Sequence, residues 1–253
     1  MVKLLVLGGT SDAIALCQQL LFEHDVIYSI KGLVRQPQLA CEIHSGGFGG
    51  VKGLVEYLQA KSIDCLVDAT HPYAINISHH ANLAAQQSNT PCFHYLRPAW
   101  QAHADDHWID FTIHDQLHRL LSSFDNTLLR PFFSIGQLSS EFLAKKSHRQ
   151  HYIVRTAISH NQHLDKVTWI KSIGPFSLQA ERQLFKDHAI DVLVSKNSGG
   201  NSVAAKIQVA REMKIPVFIQ QRPMLQTRFS VFNTLPDLIN AIGEADNNIT
   251  SVT

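Results

Sequence analysis

The feature that most constrains the fold of this chain is an internal repeat. Residues 63–67 (IDCLV) recur as residues 190–194 (IDVLV), and each copy is a short apolar run typical of a buried strand. Each run is followed by a polar turn, a segment with a helical pattern, a proline, another apolar run and an Arg-Pro pair. Since strands that alternate with helices form parallel sheets, the repeat predicts an α/β fold with two related, Rossmann-like parallel-sheet halves.

An irregular stretch rich in Ala, Asp and His separates the two copies. It begins after Arg97-Pro98 and extends to about residue 110. The full length of 253 residues is sufficient for two modest α/β domains. We therefore expect an N-terminal Rossmann-like domain over residues 1–100, a C-terminal one over residues 101–253, and a cleft between them.

The two polar turns of the repeat are candidates for a functional site, because ligands of open parallel sheets bind where such turns lie. In the first turn, residues 68–73 (DATHPY), His71 and Tyr73 carry groups that can transfer protons, although such a histidine is often only a hydrogen-bonding loop residue. The second turn, residues 195–200 (SKNSGG), combines a lysine, hydroxyls and glycines at a helix start. This combination is typical of an anion site, with a capped turn and a solvated lysine as the alternative. Its candidate residues are Lys196, Asn197, Ser198, Gly199 and Gly200.

A third turn follows the first apolar strand and reads GGTS. Glycines allow the backbone to approach a ligand, and a helix N-terminus attracts phosphate. The match to GxGxxG is poor, and a tight strand-to-helix turn needs glycine in any case, so a nucleotide site and a purely structural turn are both open here. The candidate residues are Gly8, Gly9, Thr10 and Ser11.

The region after the second predicted strand is basic. An NAD site usually has an acidic residue there for the ribose hydroxyl, whereas this chain has Lys31 and Arg35. Two cations suit a 2′-phosphate, so NADP(H) is favoured over NAD(H) if a dinucleotide binds; a solvated basic loop is the alternative. Farther on, a predicted loop leads into GGFGG at residues 46–50, where four glycines are costly to order unless the backbone needs unusual dihedrals or a close approach.

Composition excludes several classes of function. A formal net charge of +1 argues against a nucleic-acid surface. No apolar run is long enough to span a bilayer, and residues 4–7 are too few for the core of a signal peptide, so we interpret them as a first strand. The four cysteines lack CxxC spacing, which predicts buried, reduced thiols in a cytoplasmic protein. The fifteen histidines show no HExxH pattern and no cysteine partner, so we expect no metal site.

A set of motifs in a fixed order resembles the precorrin-6A reductase family of cobalamin biosynthesis. The motifs are LxLGGTSDA, SGGFGG, IDCLVDATHPYA, LRPAW, IGPF and LVSKNSGG, and the resemblance extends over residues 3–223. It implies an oxidoreductase that uses NADPH to add a hydride and a proton across one CH–CH double bond of precorrin-6A, or of its cobalt-containing form, giving precorrin-6B. It also implies that the GGTS turn lies by the cofactor or the cleft edge, and that Thr70, His71 and Tyr73 face the reacting region, with Thr70 counted among the cofactor-binding residues.

The implied substrate is an anionic tetrapyrrole with many carboxylates. Lys196 and its turn would hold phosphate or these carboxylates, and arginines that border strands are candidates to receive them as forked ion pairs. These arginines are Arg97, Arg130, Arg155 and Arg222. We expect no nucleic-acid or membrane partner, and a monomer or weak dimer.

Two other functions stay open at this point. A short-chain dehydrogenase or sugar-nucleotide epimerase needs a Tyr-x-x-x-Lys pair. Tyr57 and Lys61 have this spacing, but they precede the strand at residues 63–67, in the wrong place for that fold. A non-catalytic tetrapyrrole- or nucleotide-binding protein is the second alternative, and it predicts NADPH binding without turnover.

Overall fold

The computed structural model describes residues 1–32, 37–136, 138–160 and 163–250, with residues 247–250 described as backbone only. Up to residue 98 the chain forms β1 (Lys3–Leu7), α1 (Ser11–Leu20), β2 (Asp25–Ile30), β3 (Glu42–Ser45), α2 (Gly50–Ala60), β4 (Cys65–Asp68), α3 (Ile75–Ser88) and β5 (Cys92–Tyr95). It continues with β6 (Trp108–Phe111), α4 (His114–Ser123), β7 (Pro131–Phe133), α5 (Ser140–Ala144), β8 (Tyr152–Thr156) and β9 (Val167–Lys171). There follow α6 (Leu178–Asp187), β10 (Val192–Lys196), a 3₁₀ turn (Asn201–Val203), α7 (Ala205–Glu212), β11 (Val217–Gln220), β12 (Ser230–Phe232) and α8 (Leu235–Thr250).

These strands form two parallel six-stranded sheets. The strand order is β12-β5-β4-β1-β2-β3 in the first sheet and β6-β11-β10-β7-β8-β9 in the second. The two IDxLV copies lead into equivalent strands, because β4 lies between β5 and β1 while β10 lies between β11 and β7. The prediction of an α/β fold with two related parallel-sheet halves is therefore confirmed.

The two sheets exchange one edge strand. β6 follows β5 in the chain but pairs with β11, and β12 follows β11 but pairs with β5. The chain accordingly divides into a first unit, Met1–Pro98 with Pro223–Thr253, and a second unit, Ala99–Arg222. The sequence analysis placed the C-terminal segment in the second domain instead. Long-range contacts explain the difference: Leu96 N–H donates to Phe232 O (2.8 Å), and α8 packs against α1.

Each sheet is covered on both faces by apolar side chains. Successive residues of β1 point to opposite faces: Leu4 and Val6 pack in the core that includes α1 and α8, and Leu5 packs in the core that includes α2 and α3. In the second unit, Phe132 and Phe133 alternate in the same way. This burial on both faces explains why the strands appear in the sequence as continuous apolar runs.

Two aspartates perform the same task at the amino edges of the two sheets. Asp64 Oδ2 accepts a hydrogen bond from Lys3 N–H (2.7 Å), at the start of the neighbouring strand β1. Asp191 Oδ2 accepts from Leu129 N–H (2.6 Å) and Arg130 N–H (3.0 Å), just before the neighbouring strand β7. The repeated aspartate therefore ties the repeat strand to its neighbour in each unit.

Sequence patterns missed β3, whose residues fall in a region predicted as a loop. This strand is short and polar, and none of its four residues is fully buried. An edge strand of this kind gains its structure from pairing with β2 and leaves little apolar pattern in the sequence. None of the helices in the described ranges combines the length and the apolar character needed to cross a bilayer.

Candidate functional site

The carboxyl edge of the first sheet carries a cavity of about 570 Å³. This volume is within the range of roughly 300–1,000 Å³ typical of small-molecule sites. The lining residues come from the segments that follow β1, β2, β3 and β4, and they include several residues predicted from the sequence. Those predicted residues are Gly8, Gly9, Lys31, Thr70, His71 and Tyr73.

The glycine turn after β1 is fitted to a tyrosine of the neighbouring strand. A Cβ atom at Gly8 would lie 2.3 Å from Tyr28 Cζ, so only glycine leaves room for that ring. Gly9 has a φ of +102°, and its N–H donates to Tyr28 Oη (2.8 Å). The buried ring thus explains Gly8 by packing, whereas Gly9 is explained by its left-handed backbone, and the Gly9 N–H already has an acceptor within the protein.

Thr10 connects this turn to the DATHPY turn. Its Oγ1 accepts from Ala13 N–H (3.0 Å), which caps α1, and donates to Ala69 O (3.2 Å). Ser11 is exposed as the first residue of α1. Neither Thr10 nor Ser11 lines the cavity, so the structure gives Thr10 a role in holding the two turns together.

The glycine-rich loop at residues 46–50 forms another wall of the cavity. Gly46, Gly49 and Gly50 have φ values of +123°, +79° and +89°, which other residues rarely adopt. A Cβ atom built on any of them would meet no atom within 4 Å. The sequence predicts such a glycine cluster where the backbone needs unusual dihedrals or a close approach to a ligand. Both conditions are met here, since the backbone has positive φ values and faces open space without side chains.

His71 and Tyr73 lie together on the DATHPY turn. Their ring centroids are 5.6 Å apart, and Tyr73 N–H donates to His71 Nδ1 over 3.3 Å. A nitrogen that accepts cannot carry a proton, so in the neutral ring the proton is on Nε2. The structure brings this pair to the same cavity as Lys31 and the glycine loop.

A buried polar network lies beneath the DATHPY turn, and the sequence analysis missed it. Asp68 Oδ1 accepts from Thr70 N–H (3.1 Å) and from the Thr70 hydroxyl (2.6 Å), while Asp68 Oδ2 lies 3.1 Å from His94 Nδ1. His94 Nε2 lies 3.2 Å from Asn82 Oδ1. Burial raises the pKa of Asp68, but the hydrogen bond and charge of His94 outweigh it and hold that pKa below its ordinary value.

This network borders a second cavity, of about 280 Å³, in the same unit. Asp68, Ser78 and His94 line it together with residues 223–226, and Thr70 and His71 line both cavities. The available signal in the sequence was a polar residue inside a short apolar strand, as His94 is within β5. Its partners could not be identified, because Asp68 and Asn82 come from other elements.

In the second unit, the polar groups of the SKNSGG turn are mostly bonded to the protein itself. The buried Asn197 side chain accepts from Trp100 N–H (2.8 Å) and donates to Trp100 O (3.1 Å). Arg222 Nε donates to Asn197 O (2.7 Å), and Gly199 has a φ of +71°. Burial lowers the pKa of Lys196 from its ordinary value.

A buried charge cluster lies near this turn. Arg155 Nη1 lies 2.8 Å from Glu181 Oε1, although the two groups are not aligned for a hydrogen bond. Lys206, on the first turn of α7, is buried, and its ammonium lies 5.6 Å from the centroid of the Trp100 ring. Among the described residues, that ammonium has no salt bridge within 4.0 Å. Burial lowers the pKa of Lys206 to about 8, with a smaller contribution from the charge of Arg155.

The other arginines predicted to receive carboxylates also have partners in the protein. Arg97 Nη1 pairs with Asp12 Oδ2 (2.8 Å), and Arg130 Nε donates to His188 O. With Arg155 and Arg222, all four make internal contacts. The predicted residue Arg35 lies outside the described residues.

The Tyr57 and Lys61 pair does not form the site that a short-chain dehydrogenase needs. Lys61 Nζ pairs with Glu42 Oε1 (2.8 Å), and the Tyr57 ring packs against Phe48 and His44. Across the described ranges, no three His, Cys, Asp or Glu side chains are grouped so that they could hold a metal ion.

The larger cavity fits a dinucleotide by the chemistry of its walls. A left-handed, side-chain-free glycine loop offers backbone for close approach, and Lys31 offers a cation. The cavity lies at the carboxyl ends of parallel strands, where dinucleotides bind in doubly wound folds.

Comparisons with known proteins agree on one family. A sequence model described as "Precorrin-6x reductase CbiJ/CobK" matches residues 3–243. A "Precorrin-6A reductase" of Rhodococcus erythropolis is 34% identical over 246 residues, covering 96% of each chain. Another, of Sinorhizobium sp, is 32% identical over 225 residues, covering 87% of this chain and 85% of the relative. The solved structure "CobK precorrin-6A reductase" superposes with a TM-score of 0.87 at 29% identity, covering 97% of each chain.

Proposed function

The chain belongs to the precorrin-6x reductase CbiJ/CobK family, and from this premise we propose that it catalyses the NADPH-dependent reduction of precorrin-6A to precorrin-6B. It is an oxidoreductase of cobalamin biosynthesis that acts on a carbon–carbon double bond, and its reaction needs a nicotinamide cofactor. The observation that carries the proposal is the cavity of about 570 Å³, where Lys31, the glycine loop, His71 and Tyr73 line one space.

We place the cofactor in this cavity of the first unit. Gly46, Gly49 and Gly50 present bare backbone to a pyrophosphate or ribose. Gly8 and Gly9 line the same cavity, and the turn that they form is fixed because Gly8 packs against the Tyr28 ring and Gly9 N–H donates to the Tyr28 hydroxyl. When bound, the nicotinamide supplies a hydride for one carbon of the double bond.

Selection of NADPH over NADH is assigned to Lys31. Its side chain is exposed at the end of β2 and lines the cavity, which suits a point charge for the 2′-phosphate. Replacing Lys31 with Gln should therefore weaken NADPH binding by about 10-fold and leave NADH binding nearly unchanged, since a charge-assisted hydrogen bond is worth about 1.5–3 kcal/mol. Lys52→Gln is the matched control, because that lysine is exposed on α2 and does not line the cavity.

His71 and Tyr73 are assigned to proton delivery at the carbon next to the one that receives the hydride. As an acid, His71 must be an imidazolium, and the hydrogen bond from Tyr73 N–H must then open. That bond is long, at 3.3 Å, so opening it costs little. When His71 releases the proton from Nδ1, the neutral ring regains this hydrogen bond.

The SKNSGG turn is assigned to anionic groups of the substrate or cofactor. Lys196 supplies the charge and Ser198 a hydroxyl, while Gly199 and Gly200 lead into the 3₁₀ turn that precedes α7. The α-helix predicted to begin directly after this segment therefore begins only at Ala205. Asn197 has a different part, because its side chain holds the Trp100 backbone in position.

The decisive experiment measures nicotinamide oxidation by the purified chain with precorrin-6A and, separately, with cobalt-precorrin-6A. We expect turnover of precorrin-6A with NADPH and much slower turnover with NADH, and a product with the mass of precorrin-6B. Preference for the cobalt form would correct the substrate, and equal use of NADH would remove the role of Lys31. Binding of NADPH without turnover of either substrate would contradict the reductase and leave a binding protein.

A further inference from the structure

The network beneath the DATHPY turn contains a histidine whose protonation can be read from its partners. Asn82 Nδ2 donates to Ser78 O (2.9 Å) and to Gln226 O (3.4 Å). Two backbone carbonyls accept there, so the amide cannot turn over without placing its oxygen against both of them. Asn82 Oδ1 must therefore face His94.

His94 consequently lies between two acceptors. Its Nδ1 is 3.1 Å from Asp68 Oδ2, and its Nε2 is 3.2 Å from Asn82 Oδ1. If Nε2 carried no proton, its lone pair would face the Asn82 oxygen at 3.2 Å, and two acceptors at that distance repel each other. The geometry therefore favours a proton on both ring nitrogens, which makes the ring an imidazolium. The charge is compensated by the Asp68 carboxylate, and both side chains are less than 5% exposed. Cys92 Sγ is also near Nε2, at 3.8 Å, and burial raises the pKa of that thiol well above its ordinary value, so the neutral thiol is not a counter-ion for the ring. The shorter contact of Nε2 is the one with Asn82 Oδ1.

The two ends of this network reach different walls of the site. On one side, Asp68 holds the backbone N–H and the hydroxyl of Thr70, the residue before His71. On the other side, Asn82 Oδ1 accepts from the hydroxyl of Thr227, and that hydroxyl accepts from Phe229 N–H (3.0 Å). The segment of residues 223–229 leads into β12, the exchanged strand of the first sheet.

We propose that His94 is a positioning residue for the reduction: as a buried imidazolium between Asp68 and Asn82, it fixes the turn that carries His71 and anchors the segment that leads into β12. The inference rests on the proposed function of His71, since positioning matters only if that residue takes part in the reaction. It extends that function to a residue with no side-chain contact to the larger cavity, which His94 does not line.

Protonation is tested first, on the unmodified chain and without any assay of activity. Nitrogen-edited NMR of the histidine side chains at neutral pH should show two protonated ring nitrogens for His94, with slow exchange because the ring is 1% exposed. A single protonated nitrogen would overturn the proposal, whatever the enzyme does.

The positioning role is tested by His94→Gln. The variant should lower kcat by about 10²-fold, the size of effect expected for a displacement of about 1 Å, while the Kd for NADPH changes far less. The matched control is His24→Gln. His24 is also buried beside an aspartate, with Nδ1 3.8 Å from Asp246 Oδ2, but it precedes β2 at the amino edge of the same sheet.

A third variant covers the case in which His94→Gln does not fold. Thr227→Val is nearly isosteric and removes only the hydroxyl that bonds to Asn82 Oδ1, so it should fold and lower kcat by about 10-fold. If His94→Gln and Thr227→Val lose thermal stability but keep the wild-type kcat, as the control His24→Gln should, the network is purely structural. That result would overturn the positioning role of His94. An inactive wild type would contradict the proposed function instead, and the NMR result would still stand.

Discussion

The strands β4 and β10 come from the same repeated sequence, but the turns that follow them have different chemistry. At the amino edge the two copies are alike, since Asp64 and Asp191 each accept backbone N–H groups of the neighbouring strand. At the carboxyl edge they differ: Asp68, the last residue of β4, is matched in the repeat by Ser195 in β10. Asp68 enters a buried network with His94, whereas the buried Ser195 hydroxyl donates to Lys196 O (3.1 Å).

This comparison separates what the fold requires from what the site requires. The amino-edge aspartate is needed to pair strands, so both units keep it. The carboxyl-edge positions are free of that task, and each unit uses them differently: the first builds a charged network under a turn that lines two cavities, and the second ties its turn to Trp100 and Arg222. The predictions below test this division, from the largest expected effect to the smallest.

Substitutions in the DATHPY turn and in the SKNSGG turn should differ most in their effect on kcat. We expect His71→Asn, and to a lesser degree Tyr73→Phe, to lower kcat by about 10²–10⁴-fold, the usual loss when a general acid is removed. Ser198→Ala in the second turn should mainly raise KM, because its hydroxyl is assigned to binding. Steady-state kinetics with NADPH and precorrin-6A measure both. If His71→Asn keeps the wild-type kcat and pH profile, solvent supplies the proton.

Removing the charge at the end of β4 should destabilise the protein far more than the matched change in β10. Asp68→Asn leaves His94 buried without its counter-ion, which typically costs about 3–5 kcal/mol. Ser195→Ala removes one neutral hydrogen bond, worth about 1 kcal/mol. Urea unfolding of the two variants gives both values. Equal losses would mean that the Asp68–His94 pair is not a charged pair.

The second unit holds a buried charge without such compensation, and this should appear as a pH dependence of stability. Burial lowers the pKa of Lys206 to about 8 from its ordinary value of 10.5. Below pH 8, Lys206 is charged in the folded state, and burying its ammonium lowers the free energy of unfolding by the full amount. Between pH 8 and 10.5 the folded state loses this proton while the unfolded state keeps it. The free energy of unfolding therefore rises with pH in this range.

Lys206→Met removes this dependence. Relative to the variant, the wild type should gain up to about 3 kcal/mol between pH 8 and 10.5, since each pKa unit corresponds to about 1.4 kcal/mol. Unfolding curves of both proteins at several pH values measure the difference. Lys214→Met, at an exposed position just after α7, is the control and should show no such trend. A constant difference between wild type and Lys206→Met would show that Lys206 is not the titrating group.

The smallest effect is expected for the amino-edge aspartate that the two units share. Asp64→Ala and Asp191→Ala each remove the acceptor for backbone N–H groups of a neighbouring strand, so each should cost about 1–3 kcal/mol, with little change in kcat. Thermal unfolding and the reductase assay provide the two readouts. A large loss of kcat in either variant would contradict the separation of amino-edge and carboxyl-edge roles.

Much of the site could be predicted because it lies in local sequence. The turns after β1, β4 and β10 follow directly from apolar runs bounded by polar residues and glycines, and within each sheet parallel strands bring such turns to the same edge. For this reason the sequence predicts Gly8, Lys31 and His71 as site residues, and all three line one cavity. The use of Gly8 was not predictable in the same way, since it depends on the Tyr28 ring from another strand.

Apart from the polar edge strand β3, the sequence by itself determined the type and order of the elements, the two-fold repetition and the positions of the turns, because apolar periodicity and turn chemistry act within a few residues. Only the tertiary structure decided that β12 joins the first sheet and β6 the second, and that Asp68, Asn82 and His94 meet in one buried network. The physical reason is that strand pairing and the compensation of buried charge depend on residues far apart in the chain, and no local pattern records which distant partner is chosen.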